Sequence, residues 1–347
     1  MRNAPVSSSP RGCSAGGAGV AAVDAVDVVE VSAAGSPAVL HPATGRAARA
    51  PRTRAVSAVR IPTGYQRSRR VRRSPTLRCV EVRSFLGLEP TEDPCRWRLP
   101  VAPAVCSGLG ALFGGVGLGA SVEALEATTG RRCVWAVAQY LSFARPPSVV
   151  DLALIEAKVG GSVTQARVVG SVDGEEIFTV NAALGDRPER VSGEWAVMPE
   201  VPAPEDCPPR IMLSRQEGTI TERIDARLAN ARMFDDLDGT PAPGGRSSLW
   251  VRIPEIGPAI SASAAALAIV GDYVPFGVSQ ALGYPVGGTS LDNTLRVVRR
   301  HESEWVLADI RIQAASHGFA HGALLLWAQE GTLLGQASQT VVVRSWD

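Results

Sequence analysis

The sequence predicts an α+β protein made of two similar halves, each a single helix enclosed by an antiparallel sheet. Three observations carry this. A segment rich in Gly and Ala is followed by four strand-like runs, the same order returns later in the chain, and a Pro-rich stretch separates the two copies. With 347 residues and 45% hydrophobic content, the chain can fill two cores.

Residues 1–78 are rich in Ala, Arg, Ser, Pro and Gly and hold no sustained apolar period, so a disordered extension is expected there. Its basic run at 67–73 reads as an arm for nucleic acid or an anionic surface, as part of a transit peptide, or as a solvated tail or sequence upstream of the true start. The first half, 79–186, opens its repeat with a small-residue helix over 112–129 that Gly130 ends. Strands follow near 133–144, 149–160, 162–172 and 175–184, and Asp173-Gly174 between the last two is a tight-hairpin signal.

Residues 187–248 read as a connector, with Pro-Pro at 208–209 and Pro-Ala-Pro at 241–243. The second half, 249–347, repeats the order: an Ala-rich helix over 260–272, then strands near 288–299, 304–315, 319–329 and 332–344. Gly in an ordinary exposed helix costs stability, but it lets a helix approach another backbone closely, as when a curved sheet wraps around it. The repeat therefore suggests two hotdog domains in tandem, and an unspecified antiparallel α+β pair fits the same pattern.

Charge and cysteine usage narrow the function classes. Residues 1–78 hold thirteen Arg against Asp24, Asp27 and Glu30, a balance of +10 inside an overall +1, which leaves the body at −9. An acidic body argues against nucleic acid as its partner. The six Cys form no CxxC pair and have no His at ligand spacing, so no metal or cofactor is expected; His317 and His321 sit four apart in strand and turn. Scattered thiols point to a reducing, cytoplasmic setting, and neither a membrane-spanning run nor a secretory leader is read.

Polar residues set into apolar runs mark the candidate site, because such groups cost free energy unless paired or used. They are Asp272 at the end of the Ala-rich helix, Ser290 in Gly-Thr-Ser-Leu-Asp at 288–292, and Gln339 in the last strand. Each also has a structural reading: a turn, a strand contact, a solvent-facing amide. Asp292 reads as a carboxylate that orders its strand. Arg299 and Arg300 are candidates for phosphate contact. Gly114 and Gly115, at the start of the first helix, would bring backbone N–H groups to a carbonyl or phosphate, or permit close packing.

These residues fall within segments whose order resembles the acyl-CoA thioesterase II (TesB-like) family of double-hotdog hydrolases. The first half carries Leu86-Gly-Leu-Glu-Pro90, Leu112-Phe-Gly-Gly115, Ser142-Phe-Ala-Arg-Pro146 and Glu176-Ile-Phe178. The second carries Leu249-Trp-Val-Arg252, Gly271-Asp-Tyr273, Thr289-Ser-Leu-Asp292, Glu304-Trp305 and the run from Gln339 to Arg344. The resemblance implies Asp272, Ser290 and Gln339 as the catalytic residues. Where the family has His and an aromatic-rich run after the strand Asp, this chain has Asn293 followed by Thr-Leu-Arg-Val-Val, which implies an altered acyl pocket.

The resemblance implies a cytoplasmic acyl-CoA thioesterase of lipid metabolism, acting without a cofactor and assembling as a homo-oligomer. Asp272, expected ionised because a free Asp titrates near ~3.9, would be the general base toward a water that Ser290 and Gln339 hold. The alternative is a non-catalytic acyl-CoA-binding or scaffold protein. A covalent Ser route lacks a triad His and a nucleophile elbow, a hydratase would need a His beside the helix, and an Asp nucleophile forming a mixed anhydride stays open beside direct water attack.

Overall fold

The structure is a computed structural model, and it describes residues 80–188, 191–212 and 214–344. The extension expected over 1–78 lies outside the described residues. In chain order the elements are α1 (Val82–Leu86), β1 (Glu89–Pro90), β2 (Arg96–Val101), α2 (Gly114–Thr129), β3 (Cys133–Tyr140), β4 (Ser148–Val159), β5 (Val163–Val172) and β6 (Glu175–Gly185). Then come β7 (Asp225–Asn230), β8 (Arg246–Arg252), α3 (Ala264–Val270), α4 (Val274–Leu282), β9 (Gly287–Ser290), β10 (Asp292–Val297), β11 (Val306–Ser316), β12 (Phe319–Ala328) and β13 (Leu333–Arg344).

One antiparallel sheet runs through both halves in the order β1-β2-β4-β5-β6-β3-β10-β13-β12-β11-β8-β7, with β9 added beside β13. The repeat is visible in this order: β2-β4-β5-β6-β3 reads outward-in as β8-β11-β12-β13-β10 does from the other end. The halves meet where β3 pairs with β10, from Asp292 opposite Gln139 to Arg296 opposite Trp135. Alternation decides which side faces the helices. On β4, Val150, Leu152 and Leu154 are buried between more exposed neighbours, as period-2 patterning requires. The hairpin expected at Asp173-Gly174 forms with both residues in the left-handed region, φ 51° and 87°.

The helices pack on each other inside this sheet. A Cβ on Gly115 would stand 2.9 Å from the Ala268 carbonyl oxygen and from Ile269 Cα, and one on Gly119 would stand 2.7 Å from the Ala265 oxygen. These glycines are therefore required by contact between α2 and α3, whereas the sequence suggests a close approach to the sheet; Gly117 does face the sheet, against Phe178.

Part of the predicted connector belongs to the fold. Residues 225–230 form β7, which pairs with β8, and β8 itself begins at 246. The Pro-rich composition hides a short alternation in which Ala226 and Leu228 are buried. Arg223 pairs with Glu255 through two 2.8 Å contacts and donates to the Phe85 carbonyl of the first half at 3.0 Å. Nearby, Trp250, Trp305 and Trp327 form a second cluster with Cys207, and Trp250 Nε1 donates to the Pro202 oxygen at 2.9 Å.

Two further readings change. The stretch Ala264–Leu282 is apolar enough in length and composition to cross a membrane, yet 83% of its apolar window is buried within the protein. Cys106, Cys133 and Cys207 carry free thiols, but Cys95 is disulfide-bonded, so reading all six as thiols fails there.

Candidate active site

Asp272 does not end its helix. It lies in a 3-10 turn, Gly271–Tyr273, between α3 and α4, with φ −90° and ψ 30°, and helix resumes as far as Leu282. Pro275 stands in the first turn of α4 and has no N–H to give the preceding turn, which accounts for the break. The break turns a carboxylate into the layer where α2 and α3 meet. There Gly115 N donates to Asp272 Oδ2 at 2.6 Å, across 157 residues of chain.

Gln339 holds the other side. β13 alternates Ala337, Gln339 and Val341 toward the helices, so its amide is only 3% exposed. Its Nε2 donates to Asp272 Oδ1 and, at 2.9 Å, to Ser290 Oγ, while its Oε1 accepts from Val274 N at 3.2 Å. The three side chains expected from sequence thus converge. Ser290 ends β9, and between β9 and β10 the Thr340 N–H is met by Asp292 Oδ1 at 2.7 Å. Asp292 therefore orders the strands next to Gln339, as its sequence position suggests.

Burial pushes the Asp272 carboxyl up to about 7, with the Gly115 N–H and the Gln339 amide pulling the other way. The expectation of an ordinary, fully ionised Asp is thus replaced by one poised near neutrality. Tyr140, at the end of β3, is a group the sequence reading missed. Its hydroxyl is buried with no hydrogen-bond partner, and a Cβ on Gly114 would sit 2.9 Å from Tyr140 Oη and 3.0 Å from Asp272 Oδ2. Burial first, and then the Asp272 charge, hold that hydroxyl protonated well above its usual range. The Asn293 amide opposes this but falls short of hydrogen-bond geometry, and both its polar atoms are buried without partners.

Asp272, Ser290 and Tyr140 line one cavity of about 450 Å³. Its apolar wall includes Phe113, Phe178, Ile220, Phe234 and Phe276, so aromatic residues absent after Asp292 come instead from the residue before α2, from β6, the connector and α4. Arg299 and Arg300 do not line it. Arg299 pairs with Glu194 at 3.4 Å and Arg300 is bonded to Glu126 on α2, which corrects their reading as phosphate contacts of this site. His317 occupies the left-handed turn between β11 and β12, and His321 Nδ1 meets Thr340 Oγ1 at 3.3 Å.

Comparison with known proteins agrees with this fold. The family model for the acyl-CoA thioesterase C-terminal domain matches residues 204–343. A solved structure from Novosphingobium aromaticivorans that carries a provisional thioesterase assignment is 33% identical, covering 74% of this chain and 97% of that one with a TM-score of 0.64. An acyl-CoA thioesterase II from Mycobacterium marinum is 22% identical, covering 76% and 98% with a TM-score of 0.61. A hot dog fold protein of unknown function from Alicyclobacillus acidocaldarius is 21% identical, covering 76% and 97% with a TM-score of 0.67. No curated protein matches the chain by sequence. Fold and likeness together define a double-hotdog thioesterase, a thioester hydrolase. Within that class the chain belongs to the thioesterases, with an acyl-CoA thioesterase C-terminal domain over residues 204–343.

Proposed function

We propose that the protein hydrolyses fatty or related acyl-CoA thioesters to the free acid and coenzyme A through a water held at Asp272 and Ser290. The observation that carries this reading is the convergence of Asp272, Ser290 and Gln339 beside a largely apolar cavity. Gln339 spends both ends of its amide on Asp272, Ser290 and Val274, so it positions the other two instead of touching the water. Ser290 Oγ accepts from Gln339 and keeps its proton to donate to the water, whose own proton points to Asp272. A carboxylate near pH 7 is matched to that task, since a general base works best when its pKa lies near the working pH.

Attack of the water oxygen on the thioester carbon moves one proton to Asp272 and leaves a negative carbonyl oxygen. The Gly114 N–H and the Tyr140 hydroxyl, both on the cavity wall, are the donors available to meet it. Collapse breaks the carbon–sulfur bond, and the proton held on Asp272 goes to the leaving thiolate. The test is thiol release from a panel of acyl-CoA lengths. Release that is faster for acyl chains suited to the apolar wall is expected. Acyl-CoA that binds without releasing thiol at any length would favour the non-catalytic binder.

A further inference from the structure

The cavity is electrostatically unlike the body around it. Residues beyond 78 carry a net charge of −9, yet the charged residues lining the cavity are Arg210, Arg215 and Arg344 against Asp272 alone. Three guanidinium groups against one carboxylate leave the opening cationic. We propose that Arg210, Arg215 and Arg344 form a clamp for the phosphate groups of the substrate's leaving half, so that the segment joining the two halves is part of the substrate site. This rests on the hydrolytic reading above for the identity of the leaving group, and its own content is anion recognition.

The three side chains sit where that half of the substrate would remain outside the reacting centre. Arg215 and Arg344 are exposed, whereas Phe178 and Phe276 of the same wall are buried. Arg344 stands five residues past Gln339 on β13, about 17 Å along the strand by ordinary strand rise, a separation that a flexible pantetheine arm can bridge. Arg210 is not on a loose tail. Its N–H donates to the Ala226 oxygen at 2.8 Å, Leu228 N donates to the Pro208 oxygen at 2.9 Å, and its guanidinium carbon lies 5.6 Å from the centre of the Tyr273 ring. The joining segment is thus pinned on β7 and presents Arg210 beside the residue that follows Asp272. Guanidinium groups suit phosphate because they offer two parallel N–H donors, and the net negative charge of the body beyond residue 78 favours entry of a polyanion at a cationic opening.

The test titrates the full-length protein with CoA, with 3′,5′-ADP and with 4′-phosphopantetheine by calorimetry. It also compares kcat/KM for one acyl-CoA and the matching N-acetylcysteamine thioester, which has no phosphate. Arg210→Ala, Arg215→Ala and Arg344→Ala should each weaken CoA binding about 10-fold, and the triple variant about 100-fold or more, as charge-assisted hydrogen bonds predict. The same changes should lower the kcat/KM ratio of acyl-CoA to phosphate-free thioester by a similar factor, and added salt should shrink it in the wild type. Arg299→Ala, outside the cavity, should leave CoA affinity as it is. Weakened 3′,5′-ADP binding would place the clamp on the nucleotide phosphates, and weakened 4′-phosphopantetheine binding alone would place it on the arm's phosphate; both support it. CoA affinity untouched in a folded triple variant, or equal losses for both thioesters, would overturn it. CoA binding that depends on the arginines without any hydrolysis would sink the hydrolytic reading and keep the clamp.

Discussion

The two halves share a topology and differ in what they place inside it. In the first, α2 runs unbroken for 16 residues, and β6 turns Phe178, Val180, Ala182 and Leu184 toward it, all apolar. In the second, the matching helix breaks at Gly271–Tyr273 and β13 turns Gln339 inward between Ala337 and Val341. The chemically versatile side chains come from the second half. The first supplies their complement, a backbone N–H from Gly115 and the Tyr140 hydroxyl. A buried carboxylate is costly alone, so the broken helix is tolerable only where the unbroken one comes close enough to meet it.

If this division of labour is right, second-half substitutions should cost turnover most. Asp272→Asn keeps the shape and removes the proton acceptor, so kcat should fall by roughly 10²- to 10⁴-fold with little change in acyl-CoA affinity, measured by thiol release and by equilibrium binding. Wild-type-like turnover would end the mechanism. Ser290→Ala and Gln339→Ala should each cost about 10- to 10³-fold, and the double variant should lose less than the product because Gln339 acts through Ser290 and Asp272. Tyr140→Phe, a first-half change, should lower kcat by about 10- to 100-fold if its hydroxyl meets the oxyanion; no loss would leave the first half contributing only backbone N–H groups to the site.

The same contrast extends to pH and stability. Turnover should rise through about pH 7 as Asp272 ionises, and the rise should be absent from the residual activity of Asp272→Asn. Because the folded pKa lies above the unfolded one, the folded protein binds the extra proton between about pH 4 and 7, and stability falls as pH climbs through that window. Between pH 5 and 8 the wild type should lose roughly 2–3 kcal/mol relative to Asp272→Asn in denaturant titrations. Gly119→Ala, whose Cβ would meet the Ala265 oxygen at 2.7 Å one turn along α2 from Gly115, should destabilise by about 1–3 kcal/mol. Its effect on kcat should be smaller than that of any change above.

Much of this arrangement is legible in the chain. The strands show because burial on one face enforces alternation, and Asp173-Gly174 marks its hairpin by a backbone few other pairs adopt. Ser290 and Gln339 stand out as polar interruptions of apolar runs. Other features depend on distant partners and leave no local mark. Pro275 is a weak signal inside an Ala- and Val-rich run, so the sequence reads as a helix ending at Asp272 where the helix only breaks. Tyr140 reads as one more aromatic strand residue until its hydroxyl is seen without a partner. Adjacent arginines say nothing of their counter-ions, and Arg300 finds Glu126 across 174 residues, whereas Arg210 lies in a stretch whose prolines mask its place in the fold.

The pairing of β3 with β10 also sets what would happen if the gene were cut in two. Each fragment would display a bare strand several residues long, with unpaired N–H and C=O groups and a half-apolar face, which is the commonest template for unintended association. The best partner for that edge is the strand it has lost. Co-expressed fragments should therefore reassemble as a complemented pair, and either fragment expressed alone should form self-paired dimers or aggregate.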